Sequence, residues 1–188
     1  DGGESGSSLP ISGMMQFDIS DVGRLIEDES FTSVVIHEMG HVLGFGILWP
    51  TANNCADSCL IYDSDASSTC NASAQYKTLG FAGELEVEDE GFENDGTFCS
   101  HWSKDQMGNE IMTGSIDSLE GYFPLSAVTI GAMEDLGYVV DYSQADPLTN
   151  PSRLLLGKET NLEESKKNGR VWNLSSDVIR IRPTKVVL

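Results

Sequence analysis

Two histidines and a glutamate stand at a spacing that could hold and use a metal ion. The segment His37-Glu38-Met39-Gly40-His41 is an HExxH motif. On an α-helix, residues four apart lie one turn above each other, so both imidazoles can face one zinc ion. Glu38 projects beside them and could act as general base towards a zinc-activated water. The motif predicts a hydrolytic zinc site, and the alternative is an accidental match on a surface helix.

A catalytic zinc ion takes three protein ligands and keeps one position open. The chain has three histidines, and the remaining one is His101. Gly44, three residues after His41, is suited to turn the chain sharply so that a later segment returns beneath the metal. In the extended HExxHxxGxxH pattern the third histidine would occupy position 47, which is Ile47 here. A lone distant histidine is more often a surface or core residue, and spacing alone leaves this alternative open.

The motif needs a helix to position it, and one is predicted at residues 30–43, with Ser30 as N-cap and Gly44 as C-cap. Its apolar residues cover much of the circumference, which predicts a helix in the interior. A buried strand is predicted at residues 11–19, and a short helix capped by Ser20 ends at residue 27.

The rest of the chain alternates irregular and regular segments. Residues 45–100 are rich in glycine, serine, aspartate and cysteine and are predicted to form an irregular insertion, with one helical piece at 72–79. A helix is predicted at residues 126–136, capped by Ser126, and a strand at 138–142. The apolar residues of the tail after residue 147 predict one or two further strands.

The charge of −19 is unevenly distributed. Residues 1–152 hold 26 acidic and 3 basic residues, whereas residues 153–188 hold 4 acidic and 8 basic ones. Nucleic acid is excluded as a partner, because phosphate binding needs clustered lysine and arginine. Acidity is typical of solubility in a salty or extracellular medium. The alternative is calcium bound by the carboxylates of Asp57, Asp63, Asp65 and residues 84–95, although the EF-hand spacing is absent.

All four cysteines, Cys55, Cys59, Cys70 and Cys99, lie within one loop-rich stretch. They predict two disulfides and an oxidising compartment, and a second zinc site is the weaker alternative. Three pairings are possible; Cys55–Cys59 or Cys55–Cys70, with Cys99 joined to the other, is slightly preferred. Two glycosylation sequons also fit a secreted or cell-surface protein, and no apolar run is long enough to span a bilayer.

Beyond these single features, four segments together resemble the leishmanolysin family of metzincin zinc metallopeptidases, especially its secreted leishmanolysin-like members. They read HEMGHVLGFG, then HW after a long insertion, then GNEIMTG, and then PLSAVTIGAMEDLGY. The resemblance, which extends over about residues 9–147, implies that His37, His41 and His101 bind zinc and that Glu38 is the general base. It also implies that Met112 forms the Met-turn under the metal.

The resemblance implies an α+β, metzincin-like fold. The zinc helix would lie between an incomplete N-terminal sheet lobe, residues 1–45, and an irregular C-terminal lobe, residues 46–150, followed by a tail at 151–188 of unknown role. Because only 36 residues precede His37, an upstream propeptide or N-terminal fragment is expected. Gly114 stands where some metzincins carry a tyrosine, so no tyrosine is expected to assist there.

These observations predict a zinc-dependent endopeptidase acting on proteins or peptides. The alternatives are a non-catalytic zinc-stabilised binding or adhesion module, and a fragment that is inactive without its upstream part. Glu110 is either a carboxylate that orients a ligand histidine or a solvated loop residue. Trp102 is expected in the core, and Glu134 and Asp135 on the solvent-facing side of their helix.

Overall fold

The computed structural model describes residues 9–49, 62, 70–88, 97–117, 123–148 and, for the backbone, 171–173. The α-helices are α1 (Ile19–Glu27), α2 (Phe31–Val42), α3 (Asn71–Thr78), α4 (Lys104–Met107) and α5 (Ala127–Asp135). The strands β1 (Ser115–Asp117) and β2 (Val171–Asn173) form an antiparallel pair. The described part is therefore mainly helical, and the predicted α+β lobe organisation, with its boundaries at residues 45 and 150, stays a prediction.

The helices α1 and α2 confirm two predicted helices, but their N-termini differ from the expectation. Asp18, not Ser20, caps α1: its carboxylate accepts from the Ser20 backbone N–H at 2.9 Å. Ser30 precedes α2 without a side-chain cap, because its hydroxyl is directed to the Leu25 carbonyl instead. At the other end, Gly44 has φ +106°, as a glycine that follows a helix commonly does, so the predicted turn is confirmed.

The prediction that α2 lies in the interior is only half right. One face is buried and carries Val34 together with the motif residues His37, Glu38 and His41. The opposite face leaves Ile36 and Met39 exposed, at 41% and 46% of their side-chain surface. Apolar residues around the whole circumference predicted full burial, but the described residues pack against one side only.

The helices α3 and α5 pack closely against each other and contribute buried residues to the core. At Gly131 of α5 a side-chain carbon would lie 2.8 Å from the Ala72 backbone nitrogen, so only glycine permits this approach. Asp135 accepts hydrogen bonds from the backbone N–H groups of Asn71 and Ala72 and from the Tyr62 hydroxyl. The prediction of a solvent-facing Asp135 is wrong, because this carboxylate satisfies the N-terminus of α3 from within the core.

An aromatic cluster connects the end of α2 to the returning chain. Phe45, Trp49, Tyr62 and Trp102 are buried, with ring centroids 4.6–5.2 Å apart. At Gly46, φ is +74° and a side-chain carbon would lie 2.2 Å from the Ser100 carbonyl oxygen. The chain after the insertion thus returns directly against the turn that ends α2, and Trp102 belongs to the core as predicted.

Two predicted strands are wrong. Residues 11–19 have no strand partner among the described residues, and Ile11 and Ile19 are almost fully exposed. Residues 138–142 run as coil into a short 3₁₀ helix, Tyr142–Gln144, with Val139 fully exposed. Apolar composition alone predicted these strands, but a strand also requires a neighbour to receive its backbone hydrogen bonds.

Several other predictions fall partly outside the described residues. Cys70 and Cys99 are disulfide-bonded, whereas Cys55 and Cys59 lie outside, so the pairing stays a prediction. The same holds for calcium at Asp57, Asp63 and Asp65, and for the tail beyond residue 173. None of the helices in the described segments is both long and apolar enough to cross a membrane.

Candidate metal centre

The three histidines meet at one point. The Nε2 atoms of His37 and His41 are 3.0 Å apart, those of His41 and His101 also 3.0 Å, and those of His37 and His101 3.1 Å. All three residues are buried, between 0% and 7% exposed. His37 and His41 lie on successive turns of α2. His101 lies 60 residues after His41 in the sequence, and the close approach of its neighbour Ser100 to Gly46 brings it back to α2. Within the described segments this is the sole cluster of three or more side chains able to hold a metal ion.

Each imidazole is oriented by its other nitrogen. The Nδ1 atom of His37 lies 2.6 Å from the Ile111 carbonyl oxygen, and that of His41 lies 3.0 Å from the Phe45 carbonyl oxygen. The Nδ1 atom of His101 lies 3.0 Å from the Thr97 carbonyl oxygen. Because a carbonyl can only accept, each Nδ1 carries the hydrogen, and each neutral ring presents an Nε2 lone pair to the common point.

This arrangement fits a bound cation. When all three rings are neutral with the hydrogen on Nδ1, their Nε2 atoms cannot hydrogen-bond to one another, and the lone pairs repel unless a positive ion lies between them. Burial lowers the pKa of His41 and lowers that of His37 well below its usual value, which keeps both rings neutral. The ligand atoms of a tetrahedral zinc site lie about 3.3 Å apart, close to the observed spacing. The donor set is therefore that of a three-histidine zinc site.

Glu38, which follows His37 in α2, has a buried carboxylate with one oxygen that forms no hydrogen bond. Its side chain is 2% exposed, and its Oε2 atom has no hydrogen-bond partner. Burial raises the pKa of Glu38 to about 8. A buried carboxylate oxygen without a donor destabilises the fold, which is typical of groups retained for chemistry rather than for stability.

Met112 lies against the zinc helix. A side-chain carbon at Gly40 of α2 would lie 2.8 Å from both the sulfur and the methyl group of Met112. Glycine at position 40 thus leaves room for Met112, and a larger residue there would require the flexible end of the Met112 side chain to shift. Gly114 packs near Thr97 and His101: a side-chain carbon there would lie 3.1 Å from the Thr97 side chain and 3.7 Å from the His101 ring.

Of the two roles that the sequence suggested for Glu110, the solvated loop carboxylate is wrong, and the carboxylate that orients a ligand histidine is not realised through a direct hydrogen bond to a histidine. It is completely buried, so it is not a solvated loop carboxylate, and no histidine is among its hydrogen-bond partners. Its Oε1 atom accepts from the Ser126 N–H and hydroxyl and from the Thr129 hydroxyl, at 2.5–3.1 Å. Its Oε2 atom accepts from the Met112 N–H at 2.6 Å. Burial raises the pKa of Glu110, and these four donors oppose that rise.

An apolar cavity of about 340 Å³ lies on the other side of α2 from the histidines. Its walls include Ile36 and Met39 of α2, Leu43 directly after α2, Met133 of α5, and Met112. No histidine lines it, so the cavity is not part of the metal centre.

Of the residues that the sequence singled out, the structure brings His37, His41 and His101 together, with Met112 against Gly40 of α2 and Gly44 directly after that helix. Sequence reasoning missed the three carbonyl acceptors, since backbone groups carry no residue-type signal. It also missed the link from Glu110 to Ser126 and Thr129. The predicted N-cap at Ser126 was a usable signal, because the start of a helix attracts a carboxylate.

Comparison with known proteins agrees with this site. The family model described as leishmanolysin matches residues 5–154. Leishmanolysin of Leishmania donovani is 32% identical over 130 residues, which cover 64% of this chain and 21% of that protein. A leishmanolysin-like peptidase of Drosophila melanogaster is 43% identical over 65 residues, 34% of this chain and 9% of that protein. No solved structure matches.

The chain spans about a fifth or less of the length of these curated relatives. The family match nevertheless includes both histidines of α2, His101 and Met112. Leishmanolysins are zinc-dependent metallopeptidases with a metzincin-type fold, and their zinc chemistry fits the three-histidine cluster. This chain belongs to the leishmanolysin family.

Proposed function

We propose that this chain is a zinc-dependent endopeptidase in which His37, His41 and His101 bind zinc and Glu38 is the general base. The observation that carries the proposal is the convergence of three Nε2 atoms within 3.1 Å, each ring with its Nδ1 hydrogen directed to a carbonyl. A non-catalytic zinc module has no use for a buried carboxylate oxygen without a partner. The Oε2 atom of Glu38 is such an oxygen, and it favours the enzyme.

A zinc ion at this site would supply Lewis acidity to activate water and to polarise the scissile carbonyl. Glu38 takes the proton of the attacking water and returns it to the leaving amine. Burial raises the pKa of Glu38 to about 8 in the zinc-free chain. A cation beside it would lower that pKa towards neutrality, where the group can accept and release a proton. No side chain forms a covalent bond to the substrate in this scheme.

The orientation of the histidines supports the same mechanism. Three backbone carbonyls fix the ring tautomers, so no side-chain rearrangement is needed before the ligands act. The three histidines are buried, and electrostatic interactions are stronger at a site shielded from bulk water.

The expected substrates are proteins or peptides, in line with the names of the two relatives, a leishmanolysin and a leishmanolysin-like peptidase. Secretion into an oxidising compartment is proposed from the cysteine pattern and the acidic charge. The strong excess of acidic residues disfavours nucleic acid as a substrate.

A casein digestion assay on the full 188-residue chain tests the proposal, together with metal analysis. We expect one equivalent of zinc, hydrolysis of casein, loss of hydrolysis with a chelator, and recovery on adding zinc. Zinc without hydrolysis would contradict an active enzyme and would favour one of the two alternatives, a non-catalytic binding module or a fragment that is inactive without an upstream part. Absence of zinc would contradict the metal site itself.

A further inference from the structure

Glu110 and His37 bind opposite sides of one peptide group. The carbonyl of Ile111 and the N–H of Met112 belong to the same planar peptide unit, and in a trans peptide these two groups point in opposite directions. The Ile111 carbonyl oxygen accepts from the Nδ1–H of His37 at 2.6 Å. The Met112 N–H donates to Oε2 of Glu110 at 2.6 Å. The hydrogen bonds thus run in one chain from carboxylate to peptide to imidazole.

In many zinc sites a carboxylate accepts directly from the ligand histidine and raises its basicity. Here the carboxylate is one peptide group further away. A negative charge on the N–H side of an amide polarises it and makes its carbonyl oxygen a stronger acceptor. The His37 Nδ1–H bond is strengthened in turn, which fixes the tautomer and increases the electron density at Nε2.

Glu110 is itself rigidly held. Its Oε1 atom accepts from Ser126 and Thr129 at the N-terminus of α5, where the helix dipole favours a negative charge. Thr129 also accepts from the Trp102 indole N–H at 2.8 Å, which ties this network to the residue that follows His101. Within the described segments Glu110 has no cationic partner. The carboxylate is thus stabilised by dipoles, and its Oε2 is aimed at the peptide.

We infer that Glu110 is the positioning residue for the zinc ligand His37, acting through the peptide group between Ile111 and Met112. The inference rests on the proposed zinc site. It assigns a role to a carboxylate that touches neither the metal ligands nor the substrate.

A pair of matched variants tests this role. E110Q keeps the size of the side chain but replaces one of the two accepting oxygens by an NH₂ group, which is a donor. This NH₂ group would face either the Met112 N–H or the donors of Ser126 and Thr129, so one set of hydrogen bonds is lost. D135N makes the same change at the other buried carboxylate of this region, which accepts from backbone N–H groups and a hydroxyl but has no hydrogen bond to the histidine network. Both variants should lose stability, so stability alone does not distinguish them.

Zinc affinity is measured by competition with a chromogenic chelator. We expect E110Q to weaken zinc binding about tenfold or more, the scale seen for groups that orient metal ligands, and D135N to stay within about twofold of the wild-type chain. Equal weakening in both variants, or wild-type affinity in E110Q, would overturn the inference.

Nitrogen NMR of the zinc-free chain provides a readout that does not need the metal. The His37 Nδ1–H signal should shift or exchange faster in E110Q, while that of His41, which is bound to the Phe45 carbonyl, should stay unchanged. An unchanged His37 signal would contradict the inference even if the site binds zinc. If the wild-type chain binds no zinc, the proposed function fails, and the His37 signal still decides the role of Glu110.

If E110Q does not fold, T129V replaces it. Valine has the shape of threonine but removes one hydroxyl donor to Oε1 of Glu110. We expect weaker zinc binding and the same direction of change at His37, smaller than in E110Q. A folded T129V with neither change would refute the role of Glu110.

Discussion

The helices α2 and α5 bury polar side chains in opposite ways. On α5, Thr129 and Asp135 are buried and hydrogen-bonded to several groups. On α2, the buried carboxylate of Glu38 leaves Oε2 without a partner, and the two histidines direct bare Nε2 atoms at each other. Buried polar groups are normally satisfied. The satisfied groups of α5 hold the fold together, whereas the unsatisfied groups of α2 mark the place where a metal and a substrate would complete the structure.

The apolar residues show the same contrast. The helix α5 buries Val128, Ile130 and Ala132. The helix α2 leaves Ile36 and Met39 partly in solvent beside the apolar cavity, as does Leu43, the residue that follows it. The buried face of α2 carries the two zinc-site histidines and Glu38. The position of α2 is thus determined by its histidines and by Met112 as much as by its apolar residues.

The largest effect is expected for Glu38→Gln. Hydrolysis should fall by about 10²–10⁴-fold, the usual contribution of a general base, with zinc still bound. Because Glu38 Oε2 has no partner, the zinc-free variant should be no less stable than the wild-type chain in thermal unfolding. Full activity would refute the general-base role. A large loss of stability would show that Glu38 stabilises the fold, as the buried polar groups of α5 do.

His101→Ala should weaken zinc binding by at least about 100-fold, since one of three ligands that together supply a large binding energy is removed. Isothermal titration with zinc measures this. The control is Asp105→Asn, an exposed position of α4 in the segment that carries His101, which should retain wild-type affinity. Tight zinc binding in H101A would mean that another side chain is the third ligand.

Gly131→Ala tests the packing of α5, the helix whose buried polar groups are hydrogen-bonded. The new carbon would lie 2.8 Å from backbone atoms of Asn71 and Ala72, and backbone cannot move aside as easily as a side chain. We expect the free energy of unfolding to fall by about 1–3 kcal/mol, with zinc affinity per folded molecule unchanged. Gly23→Ala, where no atom lies within 4 Å, is the matched control. Its stability should not fall.

The smallest effect concerns pH. Burial raises the pKa of Asp135 above its usual value, so the folded state holds this proton more tightly than the unfolded state. The contribution of Asp135 to stability is therefore full below about pH 3.8 and declines as the pH rises through its folded pKa. The stability of the wild-type chain relative to Asp135→Asn, measured by urea unfolding at several pH values, should fall as the pH rises. A relative stability that rises with pH would show that the hydrogen bonds outweigh burial.

Local features were predictable because their signals are local. The spacing of His37 and His41 determines that both rings share a helix face, and Gly44 and Gly137 end their helices as glycine commonly does. The helix at residues 72–79 was predicted to within one residue at each end. By contrast, the strands predicted at 11–19 and 138–142 failed, because strand formation depends on a partner that lies elsewhere in the chain.

The sequence by itself determined the chemistry of the site: three histidines, one glutamate at the right spacing, and a glycine that turns the chain. Only the tertiary structure decided what completes it. The carbonyls of Ile111, Phe45 and Thr97 orient the rings, and Glu110 lies behind one of them. Backbone acceptors and buried donors belong to no residue type, so their positions follow from packing, in particular from the close approach of Gly46 to Ser100 that returns His101 to α2.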